Sequence, residues 1–165
     1  MAELVGALLI DRAWVPFLEG GVSIVLATAG DDLTPDLVQV VGCRVLIDGR
    51  IVLSLSRAQG ENVVESLLAG RPLAVTFSSP TTFRTQQIKA ARADVGPPTR
   101  ADLDAHARYV EAFRAELAKV GFGGSYADAI VGTDVDSLVV VTFTPNAAFE
   151  QTPGANAGRP LGEPR

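Results

Sequence analysis

The stretch Val38-Gln39-Val40-Val41-Gly42-Cys43-Arg44-Val45-Leu46-Ile47-Asp48-Gly49-Arg50-Ile51-Val52-Leu53-Ser54-Leu55-Ser56 decides the fold. Val38–Ile47 is β-branched and nearly apolar on both faces, which predicts a strand with no solvated side. Asp48-Gly49 is a strong two-residue hairpin signal, and Ile51–Ser56 supplies the returning strand. Upstream, Val22–Thr28 has the same compact apolar character, and the cluster Gly30-Asp31-Asp32 marks the turn that follows it. Three antiparallel strands therefore come early. Ahead of them, Asp11–Glu19 predicts a short helix interrupted by Pro16 and ended by Gly20-Gly21.

Downstream, Glu61–Ala69 carries Val63, Val64, Leu67 and Leu68 on one side of a helix that Gly70 stops. Leu73–Ser79 predicts a strand, and so does the long run Phe83–Val95. Gly96-Pro97-Pro98 breaks the chain, and Thr99-Arg100-Ala101-Asp102 then resembles a capping box. Leu103, Val110, Phe113 and Leu117 form the apolar stripe of a helix reaching about Val120. A second short helix begins at Ser125, and Leu138–Thr144 is the last strand. The result is an α+β fold: a mainly antiparallel six-stranded split β-barrel with short helices and a helical insert at about residues 98–132. The tail at about 151–165 is too poor in apolar residues to fold alone.

A chain of 165 residues fits a single domain, here taken as 1–165. With 47% hydrophobic and 20% charged residues it is globular rather than disordered. The net charge of −5 comes with no basic face, which argues against a nucleic-acid partner. No segment is long enough to span a bilayer, and the N-terminus lacks the basic start of a signal peptide, so the expectation is no membrane partner and a cytoplasmic location. Cys43 is the only cysteine, which excludes an internal disulfide and reads as a buried, inert thiol. His106 is the only histidine and reads as a solvent-facing helix residue, which excludes a zinc site built from several His and Cys ligands.

The order of parts resembles the pyridoxamine 5′-phosphate oxidase-like family. Its residues are Phe17-Leu18-Glu19-Gly20-Gly21-Val22-Ser23-Ile24 after a short helix, and Pro35 leading into Val41-Gly42-Cys43-Arg44-Val45. Ser78-Ser79-Pro80, Arg84-Thr85 and Gln87-Ile88-Lys89 follow. Phe149-Glu150-Gln151-Thr152-Pro153-Gly154 closes the pattern, with Ala157-Gly158 and Pro160-Leu161 behind it. The match covers roughly residues 14–161, and its C-terminal piece resembles one uncharacterised branch rather than the vitamin enzyme.

The resemblance implies a homodimer of split barrels with flavin mononucleotide (FMN) at the subunit interface. It implies a phosphate gripped from Val38–Gly42, Leu53–Arg57 and the Gln59–Asn62 turn. The oxidase has basic residues on the strand written here as Val38-Gln39-Val40-Val41, and an Arg-Lys pair where this chain has Gly60-Glu61-Asn62. A glutamate beside a phosphate dianion is unfavourable, although the helix N-terminus could still offer N–H groups to an anion.

Eight residues are candidates for cofactor contacts. Ser54, Ser56, Arg57 and Asn62 are donors for the phosphate, Arg57 having the better geometry at a strand end before a helix. Gln39, alone among valines, touches a ligand or faces the dimer interface. Thr85, Gln87 and Lys89 share one strand face, which points into the cofactor or substrate pocket or is simply solvated. Arg44 and Arg84 read as surface or interface charges. The segment Gln151–Gly154 reads as a tail lying over the pocket of its own or the partner subunit, or as a disordered end.

The leading functional reading is a flavin-dependent oxidoreductase of unspecified substrate, in which the isoalloxazine performs the redox chemistry and no acid–base side chain is strictly needed. The alternatives are a non-catalytic small-ligand binder on the same fold and a haem-binding relative with His106 as the only available imidazole.

Overall fold

The computed structural model describes residues 9–162. The described residues form nine strands: β1 (Ser23–Ala29), β2 (Pro35–Val45), β3 (Ile51–Ser56), β4 (Leu73–Ser78), β5 (Thr85–Ala90), β6 (Asp94–Gly96), β7 (Leu138–Phe143), β8 (Ala147–Glu150) and β9 (Pro160–Leu161). Four helices accompany them: α1 (Val15–Leu18), α2 (Glu61–Leu68), α3 (Arg100–Lys119) and α4 (Ser125–Val131). All strands join one antiparallel sheet in the order β6-β7-β3-β2-β1-β4-β5-β8-β9. The sheet ends at β6 and β9 and is not closed by a bond between them.

All six strands expected from the sequence are present, with three more. The long run Phe83–Val95 divides into β5 and β6, because Ala91–Ala93 leaves the ladder between them. The other two come from the end of the chain: β8 pairs with β5, and the tail folds back as β9 on β8. The Asp48-Gly49 hairpin is also longer than two residues. Gly49 N–H donates to Leu46 O at 3.0 Å and Leu46 N–H to Arg50 O at 2.8 Å, closing a three-residue loop with Gly49 at φ +84°. That is a type I turn completed by a left-handed residue, the conformation glycine adopts without a Cβ penalty. Pro16 does not interrupt a helix. It sits in the first turn of α1, where its missing N–H has no partner to lose.

The inner face of the sheet wraps a core that includes Ile24, Leu26, Val40, Leu53, Val75, Phe77, Ile88 and Val141. On the outer face, α3 crosses β2 and β3. The capping box at its start is real: Asp102 N–H donates to the Thr99 hydroxyl, while the Thr99 N–H donates to the Asp102 carboxylate at 2.8 Å. Val38–Ile47 therefore owes its two apolar faces to this helix. One face fills the barrel and the other is covered by Ala105, His106, Tyr109 and Phe113 of the same chain, rather than by a two-fold partner. Among the described residues no helix is long and apolar enough to cross a membrane.

Candidate functional site

The outer face divides into a sealed half and an open half. The sealed half lies under α3. A bulge between Val40 and Gly42 brings the backbone up to the helix, and a Cβ on Gly42 would stand 3.2 Å from His106 Cα and from the Ser54 side chain. His106 is not solvent-facing. It is 8% exposed, and its Nδ1 lies 2.7 Å from Val41 O, so the Nδ1–H tautomer donates to that carbonyl. Tyr109 donates its hydroxyl to Val22 O at 2.8 Å, and burial pushes its phenol pKa well up. Arg44 reaches the buried Asp102 at 2.7 Å, so it is a structural ion pair rather than a free surface charge. Burial of Asp102 works to raise its pKa. Bonds from the Thr99 hydroxyl and N–H and from Arg44 outweigh burial and hold it below the ordinary value. Burial likewise pushes the Cys43 thiol far up, consistent with an inert thiol.

The open half is the outer face of β1, β4, β5 and β8. Strand register sets Gln39, Val25, Thr76, Gln87 and Phe149 side by side, one per strand, from β2 to β8. A second row runs through Leu37, Ala27, Ala74, Lys89 and Ala147. Neighbouring strands lie about 4.8 Å apart, so the first row makes a shelf roughly 19 Å wide. It carries two primary amides, one hydroxyl and a terminal aromatic ring. In the neighbouring row Leu37 is 64% exposed.

The eight residues singled out from the sequence separate into four places. Gln39, Thr85, Gln87 and Lys89 lie on the open half. Thr85, Gln87 and Lys89 do not point into the barrel, because Gln86, Ile88 and Ala90 take the inward positions of β5. Lys89 is exposed and holds its ammonium 5.1 Å from the centre of the Phe149 ring, so it is not a buried charge in need of an anion. Ser54 is buried beneath α3 beside Gly42. Ser56 is buried too, 3.5 Å from the Ser137 hydroxyl, and it accepts from Gln59 N–H at 3.4 Å. Arg57 lines a cleft of about 380 Å³ with Asp136, Ser137, Gly96 and Pro97. Asn62 lies elsewhere, in a polar cleft of about 210 Å³ at the start of α2 with Asp36, Leu37, Gln59, Gly60 and Glu61.

That last cleft tests whether FMN fits. The three segments expected to hold its phosphate bring no cation to the start of α2. Arg57 faces the other cleft, the Gln39 amide donates to Val40 O at 3.1 Å, and the Asn62 amide donates to Asp36 at 3.4 Å. Asp36 and Glu61 set two carboxylates there instead. A phosphate dianion does not fit this lining. Haem does not fit His106 either, because α3 covers the imidazole and none of the described clefts reaches it. Among the described residues no group of three or more His, Cys, Asp or Glu is arranged to hold a metal ion.

The sequence reading missed Val25, Thr76 and Asp36. Alternation within β1 and β4 marks the outward residues of each strand, but only the register says which of them stand beside Gln39 and Gln87. Asp36 was hidden because β2 begins at Pro35, an acceptable first residue of a strand, three residues before the valine run.

The tail is ordered through Gly162 along its own sheet. Gln151 N–H donates to Thr85 O at 2.8 Å, and Thr85 N–H donates to the Thr152 hydroxyl at 2.9 Å. It extends the edge beyond β5 and β8 rather than lying across the open shelf.

Comparison with solved structures places this architecture. The chain has the fold of the pyridoxamine 5′-phosphate oxidase-like proteins. HupZ of Group A Streptococcus aligns over 90% of this chain and 99% of its own, with a TM-score of 0.54 at 14% identity. A candidate pyridoxamine 5′-phosphate oxidase of Lactobacillus delbrueckii aligns over 90% and 99%, with a TM-score of 0.52 at 15% identity. An F420 reductase aligns over 84% and 98%, with a TM-score of 0.52 at 16% identity. No family model and no curated protein matches the sequence. At these identities the likeness is one of fold, and the site must be argued from its own residues.

Proposed function

We propose that this chain binds a planar heteroaromatic ligand of the flavin class on the open half of its sheet, and that two copies pair across that face with the ligand between them. The observation that carries the reading is the row Gln39–Val25–Thr76–Gln87–Phe149. Flat, half-buried side chains offer the ring a surface. The Gln87 amide offers donor and acceptor to ring nitrogens and carbonyls. Gln39, whose amide donates to Val40 O and contacts Tyr109, offers its carbonyl oxygen, and Phe149 offers an edge or a face. The fold neighbours named for F420 and pyridoxamine 5′-phosphate chemistry support a small-molecule role on this architecture.

A bound flavin ring would itself supply hydride-transfer chemistry, the protein contributing orientation and hydrogen bonds. The open shelf carries neither the histidine nor the cysteine, so the oxidoreductase reading rests wholly on such a ring. The non-catalytic binder is the same site with a ligand that is not turned over.

The test is titration of the purified protein with riboflavin, followed by fluorescence quenching, in parallel with sedimentation at micromolar protein. Saturable binding by a dimer is expected, with Gln87→Ala weakening it by a factor of about 5–10, one hydrogen bond's worth. A monomer that leaves riboflavin fluorescence unchanged refutes the proposal.

A further inference from the structure

We infer that the cleft at the start of α2 selects against a terminal phosphate, so that the ligand of the open shelf is the phosphate-free member of its class, neutral or cationic at its tail. The inference rests on the reading just given and adds Asp36 and Glu61 as its specificity determinants.

The outer face of β2 and the cleft meet at Leu37, while Asp36 shares the opposite face of the strand with Val38. Leu37 lies on the outer face of β2 two residues from Gln39, about 7 Å along the strand, and it also lines the cleft. β3 pairs with β2 only from Val40 onward, so a polyol-length arm from a ring beside Gln39 reaches the start of α2 by passing over the free edge of β2 at Leu37. The first N–H groups of that helix are the natural receptor for an anion. The side chains around them oppose one. Asp36 enters from β2 and Glu61 from the first turn of α2, and Asn62, the neutral donor nearest to them, is turned onto Asp36.

Movement of the helix start is also constrained. A Cβ on Gly60 would stand 3.0 Å from Leu55 Cδ1 and from Val38 Cγ2, so α2 is seated directly on the barrel. Its terminus cannot sink further in to take an anion away from the two carboxylates. The cleft is open to solvent, so screening moderates their effect without removing it. A dianion within a few ångströms of one or two carboxylates at this depth is disfavoured by about tenfold or more.

The experiment compares riboflavin with FMN on the intact protein. Wild type is expected to bind riboflavin about tenfold more tightly than FMN, with the ratio shrinking as salt is raised. Glu61→Lys should invert the preference. Glu61→Gln, which keeps the size of the side chain and removes only its charge, should bring the ratio close to one. A wild type that prefers FMN overturns this inference and leaves the shelf intact as a ligand site. A riboflavin preference that neither variant changes overturns the role of Glu61. Failure of wild type to bind either form removes the shelf reading and this inference together.

Discussion

The outer faces of β2–β3 and of β1–β4–β5–β8 belong to one sheet, and strand sequences alone barely tell them apart. Gln39 and Gly42 lie on the same side of the same strand. Gly42 lies under a helix with His106 Cα in contact distance, and Gln39 stands at the border of an open shelf. What separates them is a 20-residue helix inserted between β6 and β7 that lands on one half and stops short of the other. Under the helix, Tyr109 and Phe113 stack at 5.7 Å between ring centres and are almost wholly buried. Burying each such ring stabilises the fold by roughly 1.5–3 kcal/mol. The open half has no such cover, and its outward residues are mostly small or amphipathic. Sealed surface there contributes to stability, and open surface is free to contribute to binding.

This contrast predicts that substitutions on the two halves part company in their effect on folding. The largest effect belongs to Tyr109→Ala, which removes a fully buried ring and its bond to Val22 O. A loss of about 4 kcal/mol is expected by urea unfolding. A loss below about 1 kcal/mol would mean that α3 does not seal this half of the sheet.

Gly21→Ala comes next. Its Cβ would stand 2.4 Å from Ala112 O on α3, where backbone must move rather than a side chain. Overpacking of this kind costs roughly 1–3 kcal/mol, read as a shift in urea midpoint. A midpoint equal to that of wild type would show that the helix rides more loosely over the sheet.

Asp102→Asn tests the electrostatic end of the seal. Loss of the Arg44 pair and of half the capping box is expected to cost about 2 kcal/mol at neutral pH. The folded-state pKa of Asp102 is depressed, so its contribution is fully present above the ordinary carboxylate pKa of 3.8 and is lost as pH falls through the folded value. The stability gap between wild type and variant should therefore hold constant from neutral pH down to that range and narrow below it. A gap independent of pH would assign the effect to packing instead.

The smallest effect is expected on the open half. Lys89→Ala forfeits only an exposed cation–ring contact and should change folding stability by less than about 0.5 kcal/mol. Its place is the row next to the amides, so calorimetry of unfolding and riboflavin titration should respond separately. A folding loss comparable to that of Asp102→Asn would erase the distinction between the halves.

The amino-acid order by itself determined the elements whose causes are local. The valine-rich run, Asp48-Gly49 and Ile51–Ser56 specify the hairpin. Gly70 stops α2, and Thr99 with Asp102 caps α3, because each acts on backbone within a turn of itself. Even the double apolar face of Val38–Ile47 was legible, as was the burial of Cys43. What covers that second face was not, because an apolar side chain records that it leaves water and not whose atoms replace it. His106 illustrates this: its ring is polar and reads as solvent-facing on a helix period, yet the bulge at Gly42 lets the helix descend until Val41 O meets Nδ1. Thr85, Gln87 and Lys89 were rightly grouped on one face, while the direction of that face depended on which neighbours Ile88 found. Only the tertiary structure set Gln39, Thr76 and Gln87 in one row and turned Arg57 away from Asn62, since register and the path of a turn are fixed by pairing between segments far apart in the chain.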